Sequence, residues 1–150
     1  MTSSTTRSAQ NNTSVSTGSV EIDRRLGGGI PYRTLMLVEG QPASGKSTLS
    51  QQLLWGAIKS GECATIYVTE QTVQSFLRQM GSLGLDITDY FLLDQLRIYP
   101  VAISDQENQS ARAFEELATH IENETEASVF VIDSLTTLVA QGGTGCQVLP

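Results

Sequence analysis

Apolar residues along the chain alternate between short continuous runs and stretches with helical spacing. The runs have the length and composition of strands buried in a parallel sheet, and they are Thr34–Val38, Ala64–Thr69 and Ser128–Ser134. Apolar stripes with helical spacing lie between these runs, and they begin at Leu49, Val73 and Ala113. This alternation of strand and helix predicts an α/β fold in which helices flank a parallel sheet.

A glycine-rich loop between the first predicted strand and the first predicted helix carries the clearest chemical signal. Residues 40–47 contain the complete phosphate-loop motif G-x-x-x-x-G-K-S. Gly40 and Gly45 permit a concave backbone whose N–H groups point at phosphate oxygens. Lys46 adds a positive charge, and the Ser47 hydroxyl is placed for Mg²⁺. The predicted nucleotide-binding residues are Gly40, Gln41, Pro42, Ala43, Ser44, Gly45, Lys46, Ser47 and Thr48.

Two carboxylates follow other predicted strands. Asp133 ends the last apolar run, where it can hold Mg²⁺ together with Ser47; the alternative is a helix N-cap. Glu70 follows the second run, and the carboxyl ends of parallel strands face the ligand crevice. Glu70 is therefore a candidate catalytic base that orients the attacking water, or alternatively a charge at the start of the next helix. Both interpretations of Glu70 stay open.

The charge balance is acidic. The formal net charge is −7, and only two of the nine basic residues are lysines, Lys46 and Lys59. A duplex-DNA surface needs clustered basic residues, so the composition argues against nucleic acid as a partner. No apolar run is long enough to span a bilayer. The polar residues 1–16 read as a disordered leader without the apolar core of a signal peptide.

Several segments resemble the RecA/KaiC-type ATPases. Thr17–Pro31 resembles the segment that opens those domains, and Asp133-Ser134 resembles their metal-binding strand end. Within that superfamily, the chain is most similar to the KaiC-like accessory ATPases of the archaeal flagellar motor, the archaellum. Three stretches carry this narrower resemblance: Glu39 with the loop, Ser50–Leu53, and Ser82–Leu93 followed by the strand-like Leu96–Pro100.

The chain departs from that pattern in two ways. KaiC-type enzymes usually carry paired glutamates after the second strand, whereas here Gln71 follows Glu70, so neither vigorous hydrolysis nor KaiC-like phosphotransfer is to be assumed. In RecA-like domains the next strand inserts between the phosphate-loop strand and the aspartate strand, but only seventeen residues follow Asp133 here. We therefore expect a RecA/KaiC-like domain over residues 17–140 that is incomplete at its C-terminus, with an irregular tail at residues 141–150.

The resemblance implies a cytoplasmic ATPase that binds ATP and Mg²⁺ at the motor and supports archaellum assembly and rotation. It implies a homo-oligomeric ring, a hexamer if full length, with the motor's hexameric ATPase and its scaffold ring protein as partners. The membrane would be contacted only through those partners. Two alternatives stay open: a RecA/RadA-like DNA-dependent ATPase, and a non-functional fragment whose motif survives without a competent fold.

Overall fold

A parallel sheet with helices on both faces organises residues 13–101 and 107–136, the part of the chain that this computed structural model describes. The strands of that part are β1 (Ser14–Val15), β2 (Ile30–Pro31), β3 (Ala64–Val68), β4 (Leu96–Pro100) and β5 (Val129–Asp133). Its helices are α1 (Val20–Arg25), α2 (Lys46–Lys59), α3 (Val73–Ser82), α4 (Thr88–Leu92) and α5 (Glu107–Asn123). None of these helices is long and apolar enough to cross a membrane.

Strand β3 is the centre of the main sheet. It pairs in parallel with β4 on one side and with β5 on the other. The register places Val68 beside Pro100 and beside Asp133, so the three strands end at the same edge. This arrangement confirms the predicted α/β fold with a parallel sheet.

Each face of the sheet has its own apolar layer. On one face, alternate β3 residues such as Ile66 pack with Leu54 of α2 and Phe76 of α3, and all three side chains are fully buried. On the other face, Tyr67 packs with Leu117 of α5. Successive strand residues point to opposite faces, so β3 contributes to both layers and is buried along its whole length.

The predicted strand at Thr34–Val38 is wrong for the described structure. These residues have no ladder partner among the described residues, and their backbone belongs to no strand. Leu35 is 97% exposed and Leu37 is 67% exposed. The physical reason is that a strand needs a neighbour to take its N–H and C=O groups. No described strand lies on the far side of β5 to pair with this segment.

An N-terminal unit packs against helix α2. Strands β1 and β2 pair antiparallel, so ordered structure begins before residue 17, inside the leader predicted for residues 1–16. The Asp23 carboxylate accepts hydrogen bonds from the Ser16 hydroxyl, the Thr17 hydroxyl and the Thr17 amide, which hold the pKa of Asp23 below its ordinary value. A Cβ at Gly56 of α2 would lie 2.0 Å from the Thr17 carbonyl carbon, so only glycine permits this contact.

The outer parts of the predicted domain layout lie outside the described residues. The first twelve residues of the leader and the tail at 141–150 are among them. The C-terminal extent of the domain therefore stays a prediction.

Candidate nucleotide site

The loop of residues 40–47 joins an unpaired segment to a well-packed helix. Gly45 is the N-cap of α2 with φ 90°, and Ala43 also lies in the left-handed region with φ 61°. At Gly40 a Cβ would approach the Ser44 hydroxyl to 2.6 Å, so a larger residue there would require the Ser44 side chain to move. The Lys46 ammonium group donates to the carbonyl oxygens of Gly40, at 2.9 Å, and Gln41, at 2.8 Å. Lys46 thus lies across the opening of the loop.

The structure brings the two predicted metal ligands together. The Ser47 hydroxyl donates to Asp133 Oδ1 at 2.8 Å, although 86 residues separate them in the sequence. Ser47 lies in the first turn of α2, and Asp133 is the last residue of β5. Both side chains are partly buried. The link therefore fixes the start of the helix to the carboxyl edge of the sheet.

The chemistry of this pair fits Mg²⁺. A hydroxyl and a carboxylate supply hard oxygen ligands, and Mg²⁺ commonly uses few protein ligands while water and phosphate oxygens complete its shell. Asp133 Oδ2 is buried and has no hydrogen-bond partner among the described residues, so one carboxylate oxygen remains for a cation or its water. Ser47 and Asp133 would hold the ion, and the ion would supply charge neutralisation at the phosphates.

Glu70 lies two residues before the N-cap of α3, outside the helix. The cap is Thr72, whose hydroxyl accepts from the Ser75 amide at 3.2 Å, and the first turn of α3 contains no acidic residue. The geometry therefore does not favour Glu70 as a first-turn helix charge. Its exposed carboxylate lies instead at the carboxyl edge of the sheet, where it accepts from the Ser134 hydroxyl at 2.8 Å.

A cleft of about 650 Å³ also opens beside Glu70. It lies at the carboxyl ends of β3 and β4, and its walls are residues 68–74 with Pro100 and Val101. The phosphate-loop residues 40–48 are not part of this lining. The structure thus places Glu70 between two regions, the cleft on the β4 side and Ser134 on the β5 side.

Sequence reasoning missed the connection between the ends of β3 and β5. The Thr69 amide donates to the Asp133 carbonyl at 3.0 Å, and the Ser134 amide donates to Thr69 Oγ1 at 2.9 Å. The only signal in the sequence is that Glu70 and Ser134 each follow a predicted strand end. Their contact depends on the β3–β5 register, which the sequence alone does not specify.

The single histidine belongs to an aromatic cluster behind the sheet. The Tyr67 hydroxyl and His120 Nδ1 lie 2.7 Å apart, and the His120 ring meets the Tyr99 ring edge-on with centroids 4.6 Å apart. Burial, with additional contributions from Tyr99 and Glu124, raises the pKa of Tyr67. His120 thus has a hydrogen-bond partner, which agrees with a structural position for this residue.

The parallel sheet, the loop motif and the aspartate at the end of β5 define the class of RecA-type α/β domains. The chain belongs to the KaiC family of ATPases, because the family described as "ATPase: KaiC" matches residues 15–145. The fold and the RecA/KaiC resemblance predicted from the sequence are thereby confirmed.

Several individual proteins that are similar to this chain carry the name FlaH. The archaeal flagellar ATP-binding protein FlaH of Sulfolobus acidocaldarius is 36% identical over 129 residues, covering 84% of this chain and 56% of that protein. FlaH of Methanocaldococcus jannaschii is 30% identical over 128 residues, covering 85% of this chain and 55% of that protein. The crystal structure of the flagellar accessory protein FlaH from Methanocaldococcus jannaschii matches with a TM-score of 0.66 and 28% identity. The match covers 85% of this chain and 57% of the chain in that structure. The chain spans about half the length of these relatives.

Proposed function

We propose that this chain is the nucleotide-binding part of a KaiC-type ATPase associated with the archaellum, and that it binds Mg-ATP. The observation that carries the proposal is the contact between Ser47 and Asp133 at 2.8 Å. A phosphate-loop serine and a strand-end aspartate from distant parts of the chain meet there, and this pair would hold a magnesium ion that neutralises charge on the phosphates.

The chemistry assigns a role to each element of the site. The loop backbone and Lys46 hold the β- and γ-phosphates, and Ser47 with Asp133 holds Mg²⁺. In hydrolysis, water bonds to the γ-phosphorus, the bond to the bridging oxygen of ADP breaks, and Glu70 orients the water and takes its proton. Because Gln71 stands where a second glutamate is usual in this family, the expected turnover is slow.

The FlaH relatives support the archaellum role. Under this proposal the complete protein forms a homo-oligomeric ring in the cytoplasm, a hexamer in the full-length form. It contacts the motor's hexameric ATPase and scaffold ring protein, and reaches the membrane only through them. Co-sedimentation with the purified motor ATPase, with and without Mg-ATP, tests this assembly. If the two proteins do not associate, or associate equally with and without Mg-ATP, the proposal that nucleotide regulates this partnership is contradicted.

Calorimetric titration with Mg-ATP tests the binding site, using the parent chain and Lys46→Ala. Hydrogen bonds between charged groups contribute about 1.5–3 kcal/mol, so Lys46→Ala should weaken ATP binding roughly 10- to 150-fold. A parent chain that binds no Mg-ATP, or a variant that binds as tightly as the parent, would contradict the proposal.

Lys59→Ala is the matched control. Lys59 is the only other lysine and lies at the opposite end of α2, roughly 20 Å along the helix axis from Lys46. Its ammonium group lies 5.6 Å from the centre of the Trp55 ring. This variant removes the same charge, and its affinity for Mg-ATP should stay within about twofold of the parent's.

A further inference from the structure

We infer that Ser134 is a positioning residue for Glu70, holding the candidate base in the orientation that the reaction needs. This inference rests on the proposed function, in which Glu70 orients the attacking water. The direct observation is the hydrogen bond from the Ser134 hydroxyl to Glu70 Oε1, at 2.8 Å. It links a residue that follows β5 to a residue that follows β3, 64 positions away in the sequence.

Ser134 is itself held firmly by the neighbouring strand. Its amide donates to Thr69 Oγ1 at 2.9 Å, and the Thr69 hydroxyl donates to the Ser134 carbonyl oxygen at 3.0 Å. One threonine side chain therefore contacts the backbone of Ser134 on both sides. Because Ser134 directly follows Asp133, this clamp also fixes the serine relative to the proposed Mg²⁺ ligand.

The side-chain bond to Glu70 is not required for strand pairing. The ladder between β3 and β5 runs to Val68 and Asp133, and the Thr69 amide extends it by donating to the Asp133 carbonyl at 3.0 Å. The backbone of Ser134 is already clamped by Thr69. The ladder bonds between β3 and β5 come from backbone groups, whereas the Ser134 hydroxyl donates a side-chain hydrogen bond to the Glu70 carboxylate.

A hydroxyl donor suits a residue that must stay reactive. None of the ion pairs between described residues involves Glu70. The hydroxyl restrains Oε1 of the carboxylate, and among the described residues no donor makes a hydrogen bond to Oε2. Ser134 therefore limits the rotation of Glu70 while leaving an oxygen available to accept a proton from water.

Binding of a transition-state mimic tests this role without requiring turnover. The affinities of Mg-ADP and of Mg-ADP with aluminium fluoride are measured by calorimetry for the parent, Ser134→Ala, Ser134→Thr, Glu70→Gln and the Ser134→Ala/Glu70→Gln double variant. Ser134→Ala should weaken binding of the aluminium fluoride complex about tenfold and leave Mg-ADP binding within about twofold. Ser134→Thr, which keeps the hydroxyl, should restore the parent affinity.

The double variant distinguishes positioning from a structural effect. If Ser134 acts through the Glu70 carboxylate, its removal should have a clearly smaller effect in the Glu70→Gln background, where the neutral amide oxygen accepts a weaker hydrogen bond. Ser82→Ala is the matched control, because among the described residues the Ser82 hydroxyl donates to the Gln79 carbonyl alone, on an exposed part of α3.

The outcomes separate this inference from the proposed function. A parent that does not bind Mg-ADP contradicts the nucleotide site and removes the basis of this inference. If the parent binds Mg-ADP, three results would overturn the positioning role alone. The first is that Ser134→Ala binds the aluminium fluoride complex as tightly as the parent. The others are an equal loss of affinity for Mg-ADP and for that complex, and an additive effect in the double variant.

Discussion

Two five-residue apolar segments lie before and after the loop and helix α2, and they differ in what surrounds them. Strand β3 has parallel partners on both sides, and Ile66 at its centre is fully buried. Residues 34–38 have no strand partner among the described residues, and Leu35 is 97% exposed. Both segments are predominantly apolar. The neighbours decide which one becomes a strand.

The difference shows how the loop is held. On its N-terminal side the loop follows the unpaired segment, which gives it little support. On its C-terminal side α2 is fixed at three places: Leu54 in the core, Gly56 against Thr17, and Ser47 against Asp133. The candidate site therefore depends on the helix behind the loop and on the edge of the sheet.

Amide hydrogen exchange tests this contrast most strongly. Amides in the β3 ladder are bonded within the core, whereas among the described residues the amides of residues 35–37 have no backbone acceptor. We expect β3 amides to exchange at least about a thousandfold more slowly, since they open only in large unfolding events. Equal protection in the two segments would show that residues 34–38 are paired, and would contradict the contrast between this segment and β3.

Matched truncations compare the two regions in free energy. Phe76→Ala removes a fully buried side chain from the layer under β3 and should lower the free energy of unfolding by about 3–5 kcal/mol. Leu35→Ala removes an exposed side chain and should change it by less than about 0.5 kcal/mol. Urea denaturation measures both variants. A Leu35→Ala loss close to that of Phe76→Ala would mean that this segment is packed.

Two helical glycines test the anchoring of α2. At Gly56 a new methyl group would meet the Thr17 and Gly18 backbone at 2.0–2.4 Å, so Gly56→Ala should destabilise the fold by about 1–3 kcal/mol. At Gly81 of α3 an added Cβ meets nothing within 4 Å, and Gly81→Ala should stabilise by up to about 0.5–1 kcal/mol. Thermal melting measures both variants, and their melting temperatures should shift in opposite directions. If both substitutions shift the melting temperature in the same direction, the close contact at Gly56 is not formed.

The N-terminal unit gives the smallest effect, which depends on pH. Hydrogen bonds hold the pKa of folded Asp23 below its unfolded value, so its stabilising contribution is present above about pH 4 and is lost as pH falls through the folded pKa. Asp23→Asn should therefore lower the free energy of unfolding by roughly 0.5–1 kcal/mol at neutral pH. It should also make that free energy fall less steeply as the pH is lowered. Chemical denaturation between pH 3 and 7, with exposed Glu115→Gln as a control, measures the slope. An unchanged slope would contradict the role of Asp23.

Local sequence patterns predicted much of the fold. The stripes at helical spacing identified α2, α3 and α5, and the apolar runs identified β3 and β5, because these elements are long enough to show a period. The two-residue strands β1 and β2 have no period to detect. The error at residues 34–38 has a different cause, since strand formation there depends on a partner that no local pattern reveals.

The candidate site was predictable only as far as motifs extend. The loop motif and the strand-end position of Asp133 anticipated the contact with Ser47, which the structure then shows at 2.8 Å. The bond between Ser134 and Glu70 was not predictable, because it arises from the register of two strands far apart in the chain. The roles of Asp133 and Glu70 in binding and catalysis stay predictions.

The dependence of ATP affinity on Mg²⁺ tests the central claim most directly. Calorimetric titration with ATP, in Mg²⁺ and in EDTA, would be performed on the parent, Ser47→Ala and Asp133→Asn. The account predicts that Mg²⁺ strengthens ATP binding to the parent, and that this gain is largely lost in both variants while binding in EDTA is retained. A gain from Mg²⁺ that is as large in Asp133→Asn as in the parent would contradict the assignment of this pair as the metal site.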